Sequence, residues 1–341
     1  MYILGIESSC DETSAAVIEA DGELGAEIKR EVRSNIVASQ IETHRLYGGV
    51  VPEIASRAHI EAISGITYEA LEKAGVTLND IGCVAVTSHP GLIGALIVGV
   101  NFAKSLAFAN NIPLVAVNHV KAHVAAAYLE NDLLEPPFTA LVVSGGHTSI
   151  YDIRSYTEFE EIGATRDDAA GEAFDKVGRV MGMPYPAGAA FDKASYGGDP
   201  TAIKLPSPAL SGDTLDFSFS GLKTATLNYI NSLTQKGEPL PVSEIAASYT
   251  STIVKAIVGK CSAALDKTGS DKLVLAGGVA ANSHIRRELA AMCEKRGAKF
   301  YVPSLSLCGD NAAMVAAAGY FEYLRGNFSD TSLNASANDE L

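Results

Sequence analysis

Two histidines four residues apart, His119 and His123 in Asn-His-Val-Lys-Ala-His, are the first residues here whose type and spacing suit chemistry. On a helix both imidazoles project from one face at the separation that metal ligands use. The same spacing also fits two solvent-facing histidines on an alanine-rich helix. Asp310, in Leu-Cys-Gly-Asp-Asn, falls where a strand-like segment ends and a helix begins. Its carboxylate either completes a His-His-Asp set or caps that helix. Two imidazoles and one carboxylate with open positions would suit iron(II) or zinc and leave room for a substrate oxygen. Two glycine turns, Ser144-Gly145-Gly146-His147 and Gly277-Gly278 followed by Asn282, stand at strand ends, where missing side chains let backbone N–H groups approach a phosphate. Glycine also occurs in such turns because it bends easily. Asp11 and Glu12 lie at the tip of a hairpin and could orient a nucleophile or accept its proton. Glu172 and Asp175, three apart on a helix, share a face that could hold ribose hydroxyls or simply meet solvent.

The elements that must position these groups read as a repeated plan. A strand from Tyr2, the polar turn 7 to 14 and a second strand through Ile18 form a hairpin, and Thr139 to Val143 with Thr148 to Ile153 form another of the same design. Each half then holds a strand, a glycine turn and a helix: Cys83 to Thr87 before Leu92 to Ala109, and Lys272 to Leu275 before Ser283 to Lys295. This suggests duplication, with both turn sets at carboxyl ends of strands facing a common cleft. Further helices are expected over Pro52 to Ala74, His119 to Glu130, Asp167 to Met181, Ser243 to Lys267 and Asp310 to Arg325, the last closed by Gly326. The spacing predicts a first lobe over 1–120, a second over 121–330 with a loop insertion near 184–213, and a polar tail over 331–341.

Composition narrows the class. A chain of 341 residues that is 47% apolar can bury two domains. The longest strongly apolar stretch, Leu92 to Val100, is broken by Gly94 and Gly99, so no transmembrane helix and no membrane partner are expected. Five scattered cysteines without a C-x-x-C pair suit a reducing, cytoplasmic setting. The net charge of −14 opposes general attraction to nucleic-acid phosphates, so an RNA substrate would need local basic groups.

Taken together, the motifs closely resemble the TsaD family of tRNA N6-adenosine threonylcarbamoyltransferases, once labelled O-sialoglycoprotein endopeptidases. The resemblance runs through Gly5-Ile-Glu-Ser-Ser-Cys-Asp-Glu-Thr13, Gly48-Gly-Val-Val-Pro-Glu53, His119 to His123, Val143-Ser-Gly-Gly-His147, Asp167-Asp-Ala-Ala-Gly-Glu-Ala-Phe-Asp-Lys176, Phe217-Ser-Phe-Ser-Gly-Leu-Lys-Thr224 and Gly277-Gly-Val-Ala-Ala-Asn282. It implies a duplicated α/β fold of the actin, sugar-kinase and Hsp70 type (ribonuclease H-like), two-lobed with a central cleft. It further implies one divalent metal, Fe2+ before Zn2+, at His119, His123 and Asp310, and a substrate pocket at Val143, Ser144, Gly145, Gly146, His147, Asp175, Gly188, Asp192 and Asn282. The implied reaction moves the threonylcarbamoyl group of threonylcarbamoyl-AMP, made by a separate synthase, onto adenosine 37 of tRNAs reading codons that begin with A. TsaB and TsaE are the implied bacterial partners. Asp11 is the first candidate base, with Glu12 beside it.

Three positions depart from the family pattern: His89 in His-Pro-Gly-Leu, Ala187 in Pro-Ala-Gly-Ala, and Gly309 before the metal aspartate. Two other functions fit the same fold, an ATP-dependent kinase or ATPase, and a scaffold locked by a nucleotide. A metalloprotease fits less well, since His119-Val-Lys-Ala-His123 lacks the glutamate beside the first histidine that zincin chemistry uses.

Overall fold

The computed structural model describes residues 1–24 and 28–338 of the chain, so the end of the expected polar tail, 339–341, lies outside the described residues. The chain divides into two units, 1–135 with 155–157 and 303–341, and 136–154 with 158–302.

The first unit is built on a five-stranded sheet ordered β3-β2-β1-β4-β5, with β1 at Tyr2–Glu7, β2 at Glu12–Asp21, β3 at Lys29–Ser39, β4 at Ile81–His89 and β5 at Leu114–Asn118. β1 pairs antiparallel with β2 and parallel with β4. It is buried on both faces, which explains why its sequence is a nearly continuous apolar run rather than an alternation. Leu4 and Ile6 face one way, into a core shared with Ile63 and Leu71 of the helices described next. The residues between them face the other way. Helices α1 (Ile41–Arg45), α2 (Pro52–Ala74), α3 (Ile93–Asn110) and α4 (His119–Ala125) complete this part, α4 running on as a 3₁₀ turn over Ala126–Leu129. α2 turns Ile66 and Ala70 inward, while Ile60 and Tyr68 stand exposed.

By length and composition α3 is apolar enough to cross a bilayer, the one such helix among the described residues. Here α3 packs against β4 and α2, burying Ala95, Leu96, Val100, Ala103 and Ala107.

The second unit repeats the plan. Its sheet runs β10-β9-β6-β7-β8, with β6 at Phe138–Val143, β7 at Thr148–Ile153, β8 at Phe159–Ala164, β9 at Lys272–Ala276 and β10 at Lys299–Tyr301. Read from β8, the order of hairpin, central strand and two parallel strands is that of the first sheet. Its helices are α5 (Ala170–Val180), α6 (Gly188–Ser195), α7 (Ser220–Lys236), α8 (Val242–Thr268) and α9 (Ser283–Arg296). Two differences from the expected elements have local causes. α5 begins at Ala170 because Asp167 is turned to the start of α7, where its Oδ1 accepts from Phe219 N at 2.7 Å and Ser220 N at 3.1 Å. The expected loop near 184–213 contains α6, held by Phe191, which is buried against Phe174 and Tyr249.

The chain then returns to the first unit with α10 (Leu305–Cys308) and α11 (Ala312–Leu324). The two units divide at 135 and 302, beside the expected lobe bounds at 120 and 330. α11 is apolar nearly all round and packs on the face of β1 opposite Leu4 and Ile6. A Cβ on Gly5 would sit 2.2 Å from Ala312 O and 2.8 Å from Ala316 N, so only glycine permits this approach.

Candidate functional site

Three local features of the chain bring the expected metal ligands together within the first unit. β5 ends at Asn118, whose side chain accepts from Lys121 N at 3.0 Å and so caps the helix that follows at once. α4 therefore opens on His119 and presents His123 one turn later on the same face. At the start of α11 the cap is Asn311, which accepts from Met314 N at 3.0 Å, and not Asp310. Capping thus does not account for Asp310, whose Oδ1 lies 3.3 Å from His123 Nε2 and 3.6 Å from His119 Nε2. The three residues offer ligand atoms within 4.8 Å of one another.

The third feature was missed from the sequence. Glu7 ends β1 on the same face as Gly5, toward α11, and is fully buried. Its Oε2 accepts from His119 Nδ1 at 3.1 Å and Thr87 Oγ1 at 2.7 Å, and its Oε1 from Ser9 N at 2.6 Å. Ser9 Oγ also lies 3.1 Å from His119 Nδ1. A carboxylate on Nδ1 fixes the hydrogen there and leaves the Nε2 lone pair facing Asp310, the arrangement that metal-bound histidines use. The signal was an ionisable residue closing an otherwise apolar central strand.

Charge in this cluster is balanced by protons that a cation could replace. Burial favours neutral His119, but Glu7 and then Asp310 outweigh it and hold the imidazole up to about 9. Burial would likewise raise Glu7, yet the His119 charge and hydrogen bond bring it below the ordinary glutamate value. Both ring nitrogens of His123 are buried without a hydrogen bond among the described residues. Such an unpaired buried atom costs about 1–3 kcal/mol, which a cation bound at Nε2 would remove. The donor set and this orphaned imidazole fit a divalent metal.

Asp11 is buried at the hairpin tip, and Glu12 opens β2 instead of sharing that tip. Burial first, then the charges of Asp310 and Asp11, push Glu12 up to about 9, so it carries a proton near neutrality. Burial and the same acids push the Cys10 thiol up, which removes it as a thiolate nucleophile. His89 accepts from or donates to Ser88 Oγ at 2.8 Å at the end of β4.

In the second unit the expected substrate residues form a connected set. The turn after β6 is closed by Ser144, whose Oγ accepts from His147 N at 3.0 Å and whose N donates to His147 O at 2.8 Å. Gly145 and Gly146 are exposed, with open space where a side chain would be. The second glycine turn lies against the first: Gly277 has φ 93°, and a Cβ there would fall 2.4 Å from Val143 O. Gly171, unremarked in the sequence, lets α5 abut the same turn, since its Cβ would fall 2.6 Å from Ser144 O. Asp175 accepts from Ala187 N at 2.7 Å and so fixes the entry to Gly188 and α6. Asp192 at the other side of α6 accepts from Ser283 N at 3.2 Å and Oγ at 2.9 Å, beside Asn282. Asn282 caps α9 through His284 N at 3.1 Å and Ile285 N at 3.0 Å. Glu172 is separate from this set, paired with Lys176 at 2.7 Å.

One contact in this unit resembles a hydrolytic dyad: Ser195 Oγ lies 2.8 Å from His284 Nε2. Arg287 Nη2 faces His284 Nδ1 at 3.1 Å, and a guanidinium only donates, so the ring hydrogen must be on Nε2. Ser195 in turn donates to Asp192 O at 2.6 Å. His284 therefore cannot take the serine proton, and the pair fastens α6 to α9.

Comparison with known proteins agrees with the reading of the motifs. A family model described as TsaD: tRNA N6-adenosine threonylcarbamoyltransferase matches residues 31–317. A tRNA N6-adenosine threonylcarbamoyltransferase of Clostridium botulinum (strain Kyoto / Type A2) is 51% identical over 339 residues, covering 99% of this chain and 97% of the relative. One of Clostridium perfringens (strain 13 / Type A) is also 51% identical, over 99% of this chain and 98% of its own. Among solved structures, full-length HypF in its phosphate- and nucleotide-bound form matches with a TM-score of 0.60 at 17% identity, over 99% of this chain and 47% of that one. Component A of the Acidaminococcus fermentans (R)-2-hydroxyglutaryl-CoA dehydratase matches with a TM-score of 0.54 at 15% identity, over 95% and 99%. The ROK hexokinase of Thermus thermophilus matches at 0.50 and 15% identity, over 96% and 100%. At these identities the likeness is one of fold, the actin, sugar-kinase and Hsp70 type that the duplicated sheets display.

Proposed function

This chain belongs to the TsaD family of tRNA N6-adenosine threonylcarbamoyltransferases, and from that premise we propose that it transfers the threonylcarbamoyl group of threonylcarbamoyl-AMP to N6 of adenosine 37 in tRNAs reading ANN codons. The products are threonylcarbamoyladenosine and AMP. The observation that carries this reading furthest is the set of buried His119 and His123 with half-buried Asp310, and Glu7 on His119 Nδ1. A kinase of this fold has no need of such a set.

In this reading His119, His123 and Asp310 would hold a divalent cation, Fe2+ before Zn2+, which would supply positive charge for polarising the acyl donor. Glu7 keeps the His119 lone pair directed at that position. The adenine amine attacks the carbonyl carbon, the carbon–oxygen bond to the phosphate breaks, and the amine proton leaves. Asp11 takes that proton, because Glu12 already carries one. Val143 to His147, Asp175, Gly188, Asp192 and Asn282 hold the nucleotide, whose phosphate meets open backbone at Gly145 and Gly146. TsaB, TsaE and the adenylate synthase are the proposed partners, in the cytoplasm. The exposed side chains Ile60 and Tyr68 on α2 and Ile93 and Ile97 on α3 supply an apolar surface for TsaB.

The test is mass-spectrometric analysis of tRNA nucleosides after incubation with TsaB, TsaE, synthase, ATP, threonine and bicarbonate. Wild type is expected to form threonylcarbamoyladenosine, and a His119→Ala, His123→Ala variant is not. An Asp11→Asn protein that keeps full transfer activity would remove Asp11 as the base.

A further inference from the structure

The second unit contains a cavity of about 630 Å³ between α8 and the segment 207–215, walled by Lys255, Lys260 and Lys267 and by Asp213 and Thr214. Nothing in the reaction above uses it. Its charge is unusual for a chain of net charge −14, since three lysines and one aspartate line it. Lys260 is only 9% exposed, and its Nζ donates to Leu210 O at 2.8 Å and Thr214 O at 2.5 Å. An ammonium has three hydrogens, so one remains beyond these two carbonyls. Carbonyl oxygens carry no net charge, and a buried cation without a counter-ion is costly. The lysine ion pairs of this unit are made by Lys176 and Lys223, so no carboxylate among the described residues neutralises the three that wall the cavity.

The wall is therefore suited to an oxyanion, and its length says more. Lys255 and Lys267 are twelve residues apart on α8, which places their backbones about 18 Å apart along the helix axis. One free phosphate cannot engage both ends. A strand of linked phosphates can.

We propose that this cavity binds the phosphodiester backbone of the RNA substrate. The inference rests on the tRNA-modifying reading above. It also supplies what the acidic composition demands, a local basic site that overcomes general repulsion.

The test is the salt dependence of kcat/KM for tRNA in the reconstituted reaction, comparing wild type with a Lys255→Gln, Lys267→Gln variant. Both lysines are exposed, so the variant keeps the fold, and a Lys255→Arg, Lys267→Arg variant should restore wild-type behaviour. Each phosphate contact contributes a log–log slope of about 0.7 on single strands and about 0.9 on duplex, so two lost contacts lower the slope by about 1.4 to 1.8. The advantage of wild type over the glutamine variant should then shrink about 7- to 12-fold between 50 and 200 mM salt. A constant ratio, with product formed by both proteins, overturns the proposal and leaves the transferase reading standing. Absence of product from wild type removes both. Thermal stabilisation of wild type but not the variant by inorganic phosphate, with the ratio constant, would assign the cavity to free phosphate and equally overturn the RNA assignment.

Discussion

Replacing Glu7 with glutamine should weaken metal binding without dismantling the ligand set, because Glu7 touches no metal position and acts only through His119. The carboxylate receives three hydrogen bonds, from Ser9 N, Thr87 Oγ1 and His119 Nδ1. A glutamine has one acceptor oxygen and one amide group that donates. The cheaper placement keeps the oxygen toward Thr87 and His119 and sets the amide against the Ser9 N–H, which costs about 1–3 kcal/mol of stability for the unpaired donor. The larger effect is electrostatic. A neutral partner on Nδ1 no longer makes the imidazole more basic, and loss of such a partner lowers metal affinity about 10- to 100-fold, or about 1.4 to 2.7 kcal/mol. Ser9 Oγ, also 3.1 Å from Nδ1, can keep the ring oriented but cannot replace the charge.

Isothermal titration of Zn2+ into the metal-free protein measures this directly, with His123→Ala marking loss of a proposed ligand. Glu7→Gln should fall between wild type and His123→Ala, and Ser9→Ala within about threefold of wild type, since it leaves the carboxylate in place. A thermal melt of each metal-free variant separates lost stability from lost affinity. If Glu7→Gln lowers the melting temperature but binds Zn2+ within twofold of wild type, Glu7 is a packing group and the argument from the Nδ1 hydrogen bond is wrong.

Other consequences follow from single contacts. Asn282→Ala should lose about 0.5–2 kcal/mol by uncapping α9, seen in chemical denaturation. Asn282→Asp should keep the cap yet weaken AMP binding in calorimetry, because the proposed nucleotide site then gains a carboxylate; equal AMP affinity would make Asn282 a cap and nothing more. Gly5→Ala should cost about 1–3 kcal/mol as α11 is forced off β1, and a melting temperature unchanged from wild type would contradict the 2.2 Å approach to Ala312 O. Burial would raise Asp216, but hydrogen bonds from Ala164 N at 2.9 Å, Thr214 and Arg166 hold it below the ordinary aspartate value. Its stabilisation is therefore full above that ordinary value and is lost as pH falls through the lowered one. The melting difference between wild type and Asp216→Asn should be constant near neutrality and begin to shrink below about pH 4; a difference independent of pH would show that charge plays no part.

How far the sequence reaches into this structure depends on whether a signal is local. The two hairpins and the two strand–glycine–helix segments were legible because turn residues and apolar periods occur within a few positions of one another, and the two sheets repeat one strand order. α6 was hidden in a proline- and glycine-rich stretch because what holds it, Phe191 against Phe174 and Tyr249, is assembled from distant segments. The return of α11 to the first unit was hidden for a related reason. A helix apolar on nearly every side must be covered on nearly every side, but that demand names no partner. The partner is marked only by a pair of features far apart in the chain, glycine at position 5 within a central strand and the small residues Ala312 and Ala316 that approach it. The candidate metal cluster divides along the same line. His119 and His123 announce themselves by spacing, whereas Asp310 was ambiguous between ligand and cap until its neighbour Asn311 proved to take the cap. Glu7 could not be found by spacing at all, since its link to His119 crosses 112 positions. What a strand pattern does offer is parity: Gly5 and Glu7 must share a face, so whatever approaches Gly5 also brings its own neighbours to Glu7. α11 approaches Gly5, and the residue just before its cap is Asp310, so the close packing that demands a glycine is also what delivers the third candidate ligand to the two histidines.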